Sequence, residues 1–288
     1  MDNHENSRGW GCISRLVADW APWPRDSLGS PSQREDMVLA PEHSKDETLA
    51  RDILPPTWQR LEAASSAALS DTLGRHIRER PAAETLKLEG DGVRSVFFLL
   101  SGWFAVSKSM EDGHRQILDL MLAGDVLNPG SADASASAVH IEVLADVAFS
   151  AVPLDVWERL LDEQPQIRRL HDTNMKASMA RMAERMLRLG KGSAASRIAY
   201  ALIELCMRLD AIGAAEEDGF HVPLTQQQLG DFTGLSAVHI CRTLRRMSRK
   251  EIISVEEHMH ILIRDMDALA EIAEVDPDSL RSQIIPAA

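Results

Sequence analysis

The fold is decided by residues 224–247, LTQQQLGDFTGLSAVHICRTLRRM, which predict two short helices joined by a tight turn. Thr225 and Ser236 stand where each helix would begin, and short oxygen-bearing side chains cap helix N-termini. Gly234 suits the turn because glycine adopts positive φ without steric cost. Apolar residues at helical spacing form the buried corner, namely Leu229, Phe232, Leu235, Ile240, Leu244 and Met247. The stretch therefore predicts a helix-turn-helix.

The outer face of the second helix is basic. A rotation of about 100° per residue turns the residues between its apolar positions outward. These residues are Val238, Arg242, Arg245 and Arg249, flanked by His239 and Arg246 on one side and Cys241 on the other. A short arginine-rich helix behind a glycine turn fits the major groove of DNA. The alternative is a helical hairpin with a solvated basic face, because such patterns have false positives.

Two β-branched runs follow the helix pair, at 252–255 and 260–263, and predict a hairpin. Asp265 then begins a capped helix that extends to Ala273. A hairpin in this position is a wing, so the unit is predicted to be a winged helix-turn-helix.

The chain before this unit has a different periodicity. Helical segments surround Trp58 and Leu69, and residues 85–152 then form short apolar or alternating runs. The predicted strands are 85–89, 96–100, 103–108, 116–122 and two more within 139–152. Asp112-Gly113 supplies a hairpin turn. Short strands at regular intervals with glycine turns predict an antiparallel β-barrel or roll.

A long helix, from Asp155 to Leu189 and divided by Pro165, joins the two parts. Its second half carries a heptad seam, with spacings of 4, 3, 4 and 3, at Met175, Met179, Met182, Met186 and Leu189. We expect this seam to form a two-fold dimer, because helix-turn-helix proteins usually read half-sites in pairs. The alternative, a helix packed on its own domain, requires a wider apolar stripe. Gly190-Lys191-Gly192 predicts a hinge into a helix at 194–209.

The charge of the 288 residues is uneven, with a net value of −13. Residues 1–155 carry 14 Lys and Arg against 24 Asp and Glu, whereas residues 222–264 carry six against four. Local charge decides where a polyanion binds, so acidity elsewhere does not argue against DNA binding. There is no apolar run of membrane length, no signal-like N-terminus and no disulfide framework among three scattered cysteines. These features predict a cytoplasmic protein with no membrane association.

The order of these parts resembles the Crp/Fnr family of bacterial transcription regulators. Residues 98–103, 112–117 and 122–126 are similar to the strands and turns of the family's sensor domain. Residues 197–199 are similar to the start of its DNA-binding domain, and residues 224–244 to its helix-turn-helix. The resemblance covers about residues 54–275. It implies an α+β fold with a cyclic-nucleotide-binding-like antiparallel β-roll, a long dimerisation helix and a C-terminal winged helix-turn-helix.

On this basis five segments are expected. They are a disordered N-terminal tail (1–53), a β-roll sensor domain (54–155), a dimerisation helix with its hinge (156–191), a winged helix-turn-helix domain (192–275) and a C-terminal tail (276–288).

The sensor segment departs from the cyclic-AMP-binding members of the family. Those members hold the phosphate with a Glu after the Gly-Asp turn and an Arg before the next strand. Here Pro129-Gly130 follows the turn, Ala136-Ser137-Ala138 replaces the Arg-Ser, and no Lys or Arg lies between Arg115 and Arg159. The adenine-contacting positions of the helix become Met182 and Ala183. A cyclic phosphate requires a positive partner or a nest of donors, so cyclic AMP is not expected.

Other cofactors of the family are not expected either. Its oxygen-sensing members bind an iron–sulfur cluster through four cysteines, and this chain has three scattered ones. His114, His140 and His171 are candidate haem ligands, but an isolated histidine is more often structural. No metal site is expected, and the effector is left unassigned.

The resemblance also assigns roles in the recognition helix. The family's base-reading Glu is replaced by Val238, which would cover a thymine methyl, while Arg242 is retained and would read guanine. His239, Arg245 and Arg246 would contact the backbone or base edges, and Thr225, Gln226 and Ser236 would hold phosphates at helix ends. Cys241 is interpreted as a small, partly buried residue rather than a redox switch.

The sequence thus predicts a homodimeric, sequence-specific DNA-binding transcription regulator that recognises a two-fold operator and contacts RNA polymerase. The alternative is a signalling scaffold in which the β-roll and seam helix mediate protein contacts, although a scaffold has no need for a basic recognition face. An enzyme is not indicated, because no nucleophile–base cluster, P-loop or metal motif is present.

Overall fold

A computed structural model describes residues 53–131, 135–216, 219–256 and 259–286. The predicted N-terminal tail, apart from Ile53, lies outside these residues. None of the helices in the described ranges combines the length and apolar character needed to cross a membrane.

The strands of the described residues form two antiparallel sheets. The larger sheet contains β1 (Ile77–Arg80), β2 (Thr85–Lys87), β3 (Ser95–Ser109), β4 (Arg115–Met121), β5 (Val126–Leu127) and β6 (His140–Pro153). Its order is β1-β6-β3-β4, with β2 paired to β6 and β5 paired to β3. The smaller sheet contains β7 (Phe220–His221), β8 (Ile253–Val255) and β9 (His260–Ile263), in the order β7-β9-β8. The predicted β-roll and wing are confirmed, and β7 is a third wing strand that the sequence did not predict.

Two strands are longer than predicted. The sequence breaks the run 96–108 at Ser101-Gly102 and divides 139–152, but β3 and β6 each continue through and pair with one another along their length. The prediction of separate short strands is therefore wrong. Gly102 has φ +82°, and a Cβ there would lie 2.2 Å from the carbonyl oxygen of Asp146. The register shifts on both sides of Gly102, so the glycine bends a continuous strand instead of ending it.

The helices follow the predicted periodicity. Within the described residues, a 3₁₀ turn at Pro56–Trp58 is followed by α1 (Ala63–Gly74), α2 (Leu154–Glu163), α3 (Pro165–Lys191), α4 (Ala194–Ala211), α5 (Gln226–Thr233), α6 (Ala237–Arg249), α7 (Met266–Ala273) and α8 (Pro277–Ile284). Pro165 occupies the first turn of α3, where its missing N–H costs nothing. The long helix is therefore divided where the sequence predicted.

The segment 276–288, predicted to be a tail, contains α8, so that prediction is wrong for Pro277–Ile284. Asp276 caps the helix by accepting a hydrogen bond from the Ser279 N–H, and Leu280 and Ile284 are buried. The helix packs against α3. Its apolar residues are too few for a strong periodic signal, which is why the sequence alone did not reveal it.

The β-roll and the winged unit share one apolar core. Ala105, Ile117 and Leu120 of the roll belong to the same buried cluster as the cores of α4, α5 and α6. The described residues accordingly belong to a single compact unit. The predicted hinge at Gly190-Lys191-Gly192 is only partly right, because α3 continues to Lys191 and the Gly192 carbonyl accepts a hydrogen bond from Arg197 Nε at 3.1 Å.

Candidate DNA-binding interface

The helix-turn-helix is held by reciprocal capping. Thr225 Oγ1 accepts a hydrogen bond from the Gln228 N–H at 3.1 Å, and Gln228 Oε1 accepts one from the Thr225 N–H at 2.9 Å. This is a capping box, which satisfies two N–H groups that have no partner inside the helix. Gly234 ends α5 with φ +67°, in the left-handed region. The predicted caps and turn are confirmed, and Gln228 is the capping partner that the sequence analysis missed.

The recognition helix α6 presents the face that its periodicity predicts. Ile240, Leu244 and Met247 are buried, and Val238 is 66% exposed. The four basic residues on the outer surface are also exposed, namely Arg242, Arg245, Arg246 and Arg249. None of these arginines forms an ion pair with any residue in the described ranges. Their charges are therefore available to a polyanion outside the chain. Cys241 is half-buried, as predicted.

Residues at the N-termini of α5 and α6 lie on the surface, but their hydroxyl groups are already engaged. Thr225, Gln226 and Ser236 are exposed. Ser236 Oγ accepts from the His239 N–H at 3.4 Å and lies 2.9 Å from His239 Nδ1. Because Nδ1 is occupied, Nε2 is the nitrogen that His239 offers to a ligand. The phosphate roles of Thr225 and Ser236 remain predictions, which the exposed N-terminal turns of the two helices support.

The turn between α5 and α6 is anchored by residues far away in the sequence. Gln116 Nε2, on β4, donates to the Phe232 carbonyl at 3.1 Å, and Arg197 Nη1 donates to the Gly234 carbonyl at 3.3 Å. Leu189 Cδ2 would lie 2.7 Å from a Cβ at Gly234. Leu189 is thus half-buried against the turn, so less of its side chain is exposed than at the other seam positions, and its place in the dimer seam stays a prediction.

The remaining seam residues are exposed on α3. The exposed fractions are 38% for Met175, 71% for Met179, 43% for Met182 and 72% for Met186. The opposite face of the same helix buries Arg181, Arg185 and Arg188 against the rest of the chain. One helix therefore packs inward through arginines and leaves a row of methionines uncovered.

The interior of the β-roll is filled by side chains. Phe149 contacts Phe97 and Phe104 edge to face, with ring centroids 5.7 and 5.4 Å apart. Val106, Ile141 and Val143 belong to the same apolar cluster. The three histidines considered as haem ligands lie on different elements. His114 is in the exposed β3–β4 turn, His140 is on β6 and His171 packs on Trp157.

Two family profiles match the chain, one on each side of α3. Residues 77–164 match the cyclic nucleotide-binding domain, and residues 196–272 match the Crp-like helix-turn-helix domain. A probable transcriptional activator from Rhizobium leguminosarum bv. viciae is 29% identical over 200 residues, which cover 68% of this chain and 82% of the relative. The transcriptional activator protein FnrL of Cereibacter sphaeroides is 27% identical over 209 residues, 71% of this chain and 83% of that protein.

This chain belongs to the Crp/Fnr family of transcription regulators. The solved structure of FixK2 from Bradyrhizobium japonicum has the same fold, with a TM-score of 0.62 and 22% identity over 69% of this chain and 98% of that one. At this identity the likeness supports the fold of the Crp/Fnr regulator and not its ligand. The predicted order of roll, long helix and winged helix-turn-helix is confirmed.

Proposed function

We propose that two copies of this Crp/Fnr regulator pair through the methionine face of α3 and read a two-fold DNA site with their α6 helices. The observation that carries the proposal is the outer face of α6, where exposed arginines have no ion-pair partner in the described ranges. The dimer places two such helices on one DNA molecule. Half-sites one helical turn apart, about 34 Å, suit a protein of this kind.

Base choice follows from the order of residues along α6. Val238 lies one turn before Arg242, and both are exposed. A guanidinium makes a bidentate contact to guanine O6 and N7, while a branched apolar side chain covers the thymine methyl and cannot accept a hydrogen bond from cytosine. Each half-site should therefore combine a fixed guanine with a nearby thymine. Arg246 would hold a phosphate and add affinity without sequence preference.

The test is a selection of bound sequences from random DNA, with wild-type protein and three variants side by side. Arg242→Ala should cost about 1–3 kcal/mol and relax the preference at the guanine alone. Val238→Glu should shift the neighbouring preference from thymine to cytosine, because a carboxylate accepts from cytosine N4. Arg246→Ala should weaken all sequences alike and reduce the salt slope by about one.

The selection also separates this proposal from the alternative. Uniform weakening by Arg242→Ala, with unchanged base preference, would show that the orientation assigned to α6 is wrong. A wild-type protein that selects no sequence would favour the scaffold, in which the roll and α3 serve protein contacts. We also infer that the DNA-bound dimer acts on RNA polymerase, in line with the relatives named transcriptional activators.

We further propose that cyclic AMP is not the effector and that no iron–sulfur cluster, haem or metal is required. The interior of the roll is occupied by Phe97, Phe104 and Phe149, and residues 116–158 contain no lysine or arginine for a phosphate. Isothermal calorimetry with millimolar cyclic AMP should detect no binding. A saturable micromolar site would contradict this inference and show that the alignment of the phosphate loop is wrong.

A further inference from the structure

The contacts between the β-roll and the helix-turn-helix are built on polar groups at the end of α5. Phe232 lies in the last turn of α5, where backbone carbonyls have no partner inside the helix. Its carbonyl accepts from Gln116 Nε2 of β4 at 3.1 Å. The next element, the turn at Gly234, is held by Arg197. The roll therefore supplies the hydrogen-bond partner of one of the last carbonyls of α5.

A buried network of charges continues this contact into α3. Arg185 Nη1 lies 3.0 Å from Asp119 Oδ1 of β4 and 2.9 Å from Glu204 Oε1 of α4. The Arg185 guanidinium also stacks over the Phe232 ring, with its carbon 5.0 Å from the ring centroid. One side chain of α3 thus touches the roll, the first helix of the DNA-binding half and the end of α5.

The network is balanced in charge. Besides Arg185, it contains Arg181 and Arg208, and the carboxylates are Asp119, Asp125 and Glu204. Burial alone would raise the pKa of Asp119, but Arg185, Arg181 and Arg208 together hold it well below its usual range. Paired in this way, buried charges resist separation, because removing one partner leaves the others unpaired in a low dielectric.

Two buried arginines of α3, Arg181 of the network and Arg188, also reach the last two helices. Arg188 Nε and Nη2 donate to the Ala273 carbonyl at 3.1 and 3.0 Å, and Arg181 Nη1 donates to the Ile284 carbonyl at 3.3 Å. The methionine face of α3 is therefore connected to α7 and α8, as well as to the helix-turn-helix, through the opposite face of the same helix.

The contacts of Gln116 and Arg185 leave the outer face of α6 exposed. Val238 and the arginines of α6 remain exposed while Gln116 and Arg185 hold the turn behind them. The contact therefore positions α6 and does not cover it. Since α3 carries the proposed dimer face, the same contacts fix how the two α6 helices of a dimer are placed relative to each other.

We propose that Gln116, Asp119 and Arg185 are positioning residues that set the half-site spacing the dimer reads. This inference rests on the proposed function. None of these residues lies on the outer face of α6, so they should act only through the placement of that helix. They should therefore affect DNA with two half-sites and leave the contacts with one half-site unchanged.

The experiment compares wild-type protein, Gln116→Leu and Asp119→Asn on DNA with two half-sites at varied spacing, and on DNA with one half-site scrambled. Gln116→Leu keeps the volume of the side chain but donates no hydrogen bond. We expect it to weaken binding at the preferred spacing by about fivefold, the effect of one hydrogen bond. The affinity for DNA with other spacings should change less, and the affinity for DNA with one half-site should be unaltered.

Gln283→Leu is the matched control, because Gln283 is exposed on α8 and its one side-chain hydrogen bond to a described residue goes to Ser279 of its own helix. This variant should bind DNA of every half-site spacing with the affinity of the wild-type protein. Asp119→Asn leaves three buried arginines with two carboxylates. The DNA binding of this variant is therefore compared with that of the wild type only if circular dichroism shows wild-type helix content. Gln116→Leu removes no charge and carries the test if Asp119→Asn does not fold.

The outcomes distinguish the two proposals. If the wild-type protein has a preferred spacing and Gln116→Leu binds every spacing with wild-type affinity, this inference is overturned and the proposed function stands. Parallel losses on one and two half-sites also overturn it, since they indicate a role in folding alone. A wild-type protein with no sequence-selective binding overturns the proposed function and, with it, this inference.

Discussion

Gly230 marks the close approach of α5 to the turn that leads into the recognition helix. A Cβ at this position would lie 2.3 Å from the Leu235 carbonyl oxygen, a contact that no side chain tolerates without a backbone shift. The Leu235 N–H also donates to the Gly230 carbonyl at 2.9 Å. A glycine inside a helix normally weakens it relative to alanine, so its presence here reflects this contact.

Gly230→Ala should therefore destabilise the protein despite the better helix propensity of alanine. Overpacking of this kind costs about 1–3 kcal/mol. Gly190→Ala is the matched control, because Gly190 is also helical and a Cβ there meets nothing within 4 Å. The control should stabilise the protein by about 0.5–1 kcal/mol. Urea unfolding of both variants checks the prediction, and equal effects of the same sign would contradict it.

The structural roles of residues in and around the helix-turn-helix differ in how well the sequence predicts them. The caps Thr225 and Ser236 and the exposed position of Arg242 follow from spacing within one helix, and all were predicted. The contact of Gln116 with Phe232 joins residues 116 positions apart. Local periodicity gives no information on a contact between residues so far apart in the sequence. From the sequence alone, an amide side chain in a strand is expected to lie on the surface. Only the fold reveals that Gln116 holds the turn.

At the scale of elements, α3 also has contacts that local periodicity does not predict. Its methionines recur at heptad spacing, were predicted to form a dimer seam and are exposed, whereas Leu189, the fifth predicted seam residue, is half-buried. Its arginines drew no prediction from the sequence, and arginine is almost never buried unless paired. Arg181, Arg185 and Arg188 find their partners on β4, α4 and α7. The helix therefore has one packed face, built on arginines, and one exposed face, built on methionines.

If the methionine face forms the dimer, charges placed on it should break the dimer. The double variant Met179→Glu, Met186→Glu places like charges opposite one another in the two copies, at positions of the interface that should exclude water. Sedimentation velocity should show a monomer with wild-type helix content. Leu187→Glu is the control, because Leu187 is 58% exposed on the same helix but lies off the seam. An intact dimer in the double variant would show that the two copies pair elsewhere.

On the scale of the whole molecule, the two family-matched halves are not independent in this chain. Ile117 and Leu120 of β4 share an apolar cluster with Leu229, Ile240 and the rest of the winged unit. Short-range patterns predicted a division near residue 191, because each half has its own periodicity. They could not show that the buried surfaces of the halves meet, since that depends on how α3 packs.

A shared core predicts a single unfolding transition. All six tryptophans lie within the first 157 residues, so tryptophan fluorescence reports no part of the winged unit directly. Circular dichroism at 222 nm follows helices in both halves. In a cooperative molecule the two signals should give the same thermal midpoint. Two separated midpoints would mean that the halves unfold independently.

The decisive variant is Leu269→Ala, which removes a fully buried side chain of α7 in the tryptophan-free half. A large-to-small change of this kind costs about 2–5 kcal/mol. Through the shared core it should lower the fluorescence midpoint by as much as the dichroism midpoint. Val238→Ala, at a position that is 66% exposed, should move neither signal. If Leu269→Ala lowers only the dichroism midpoint, the contacts of Gln116 and Arg185 do not join the halves, and the placement of α6 is not controlled by the β-roll.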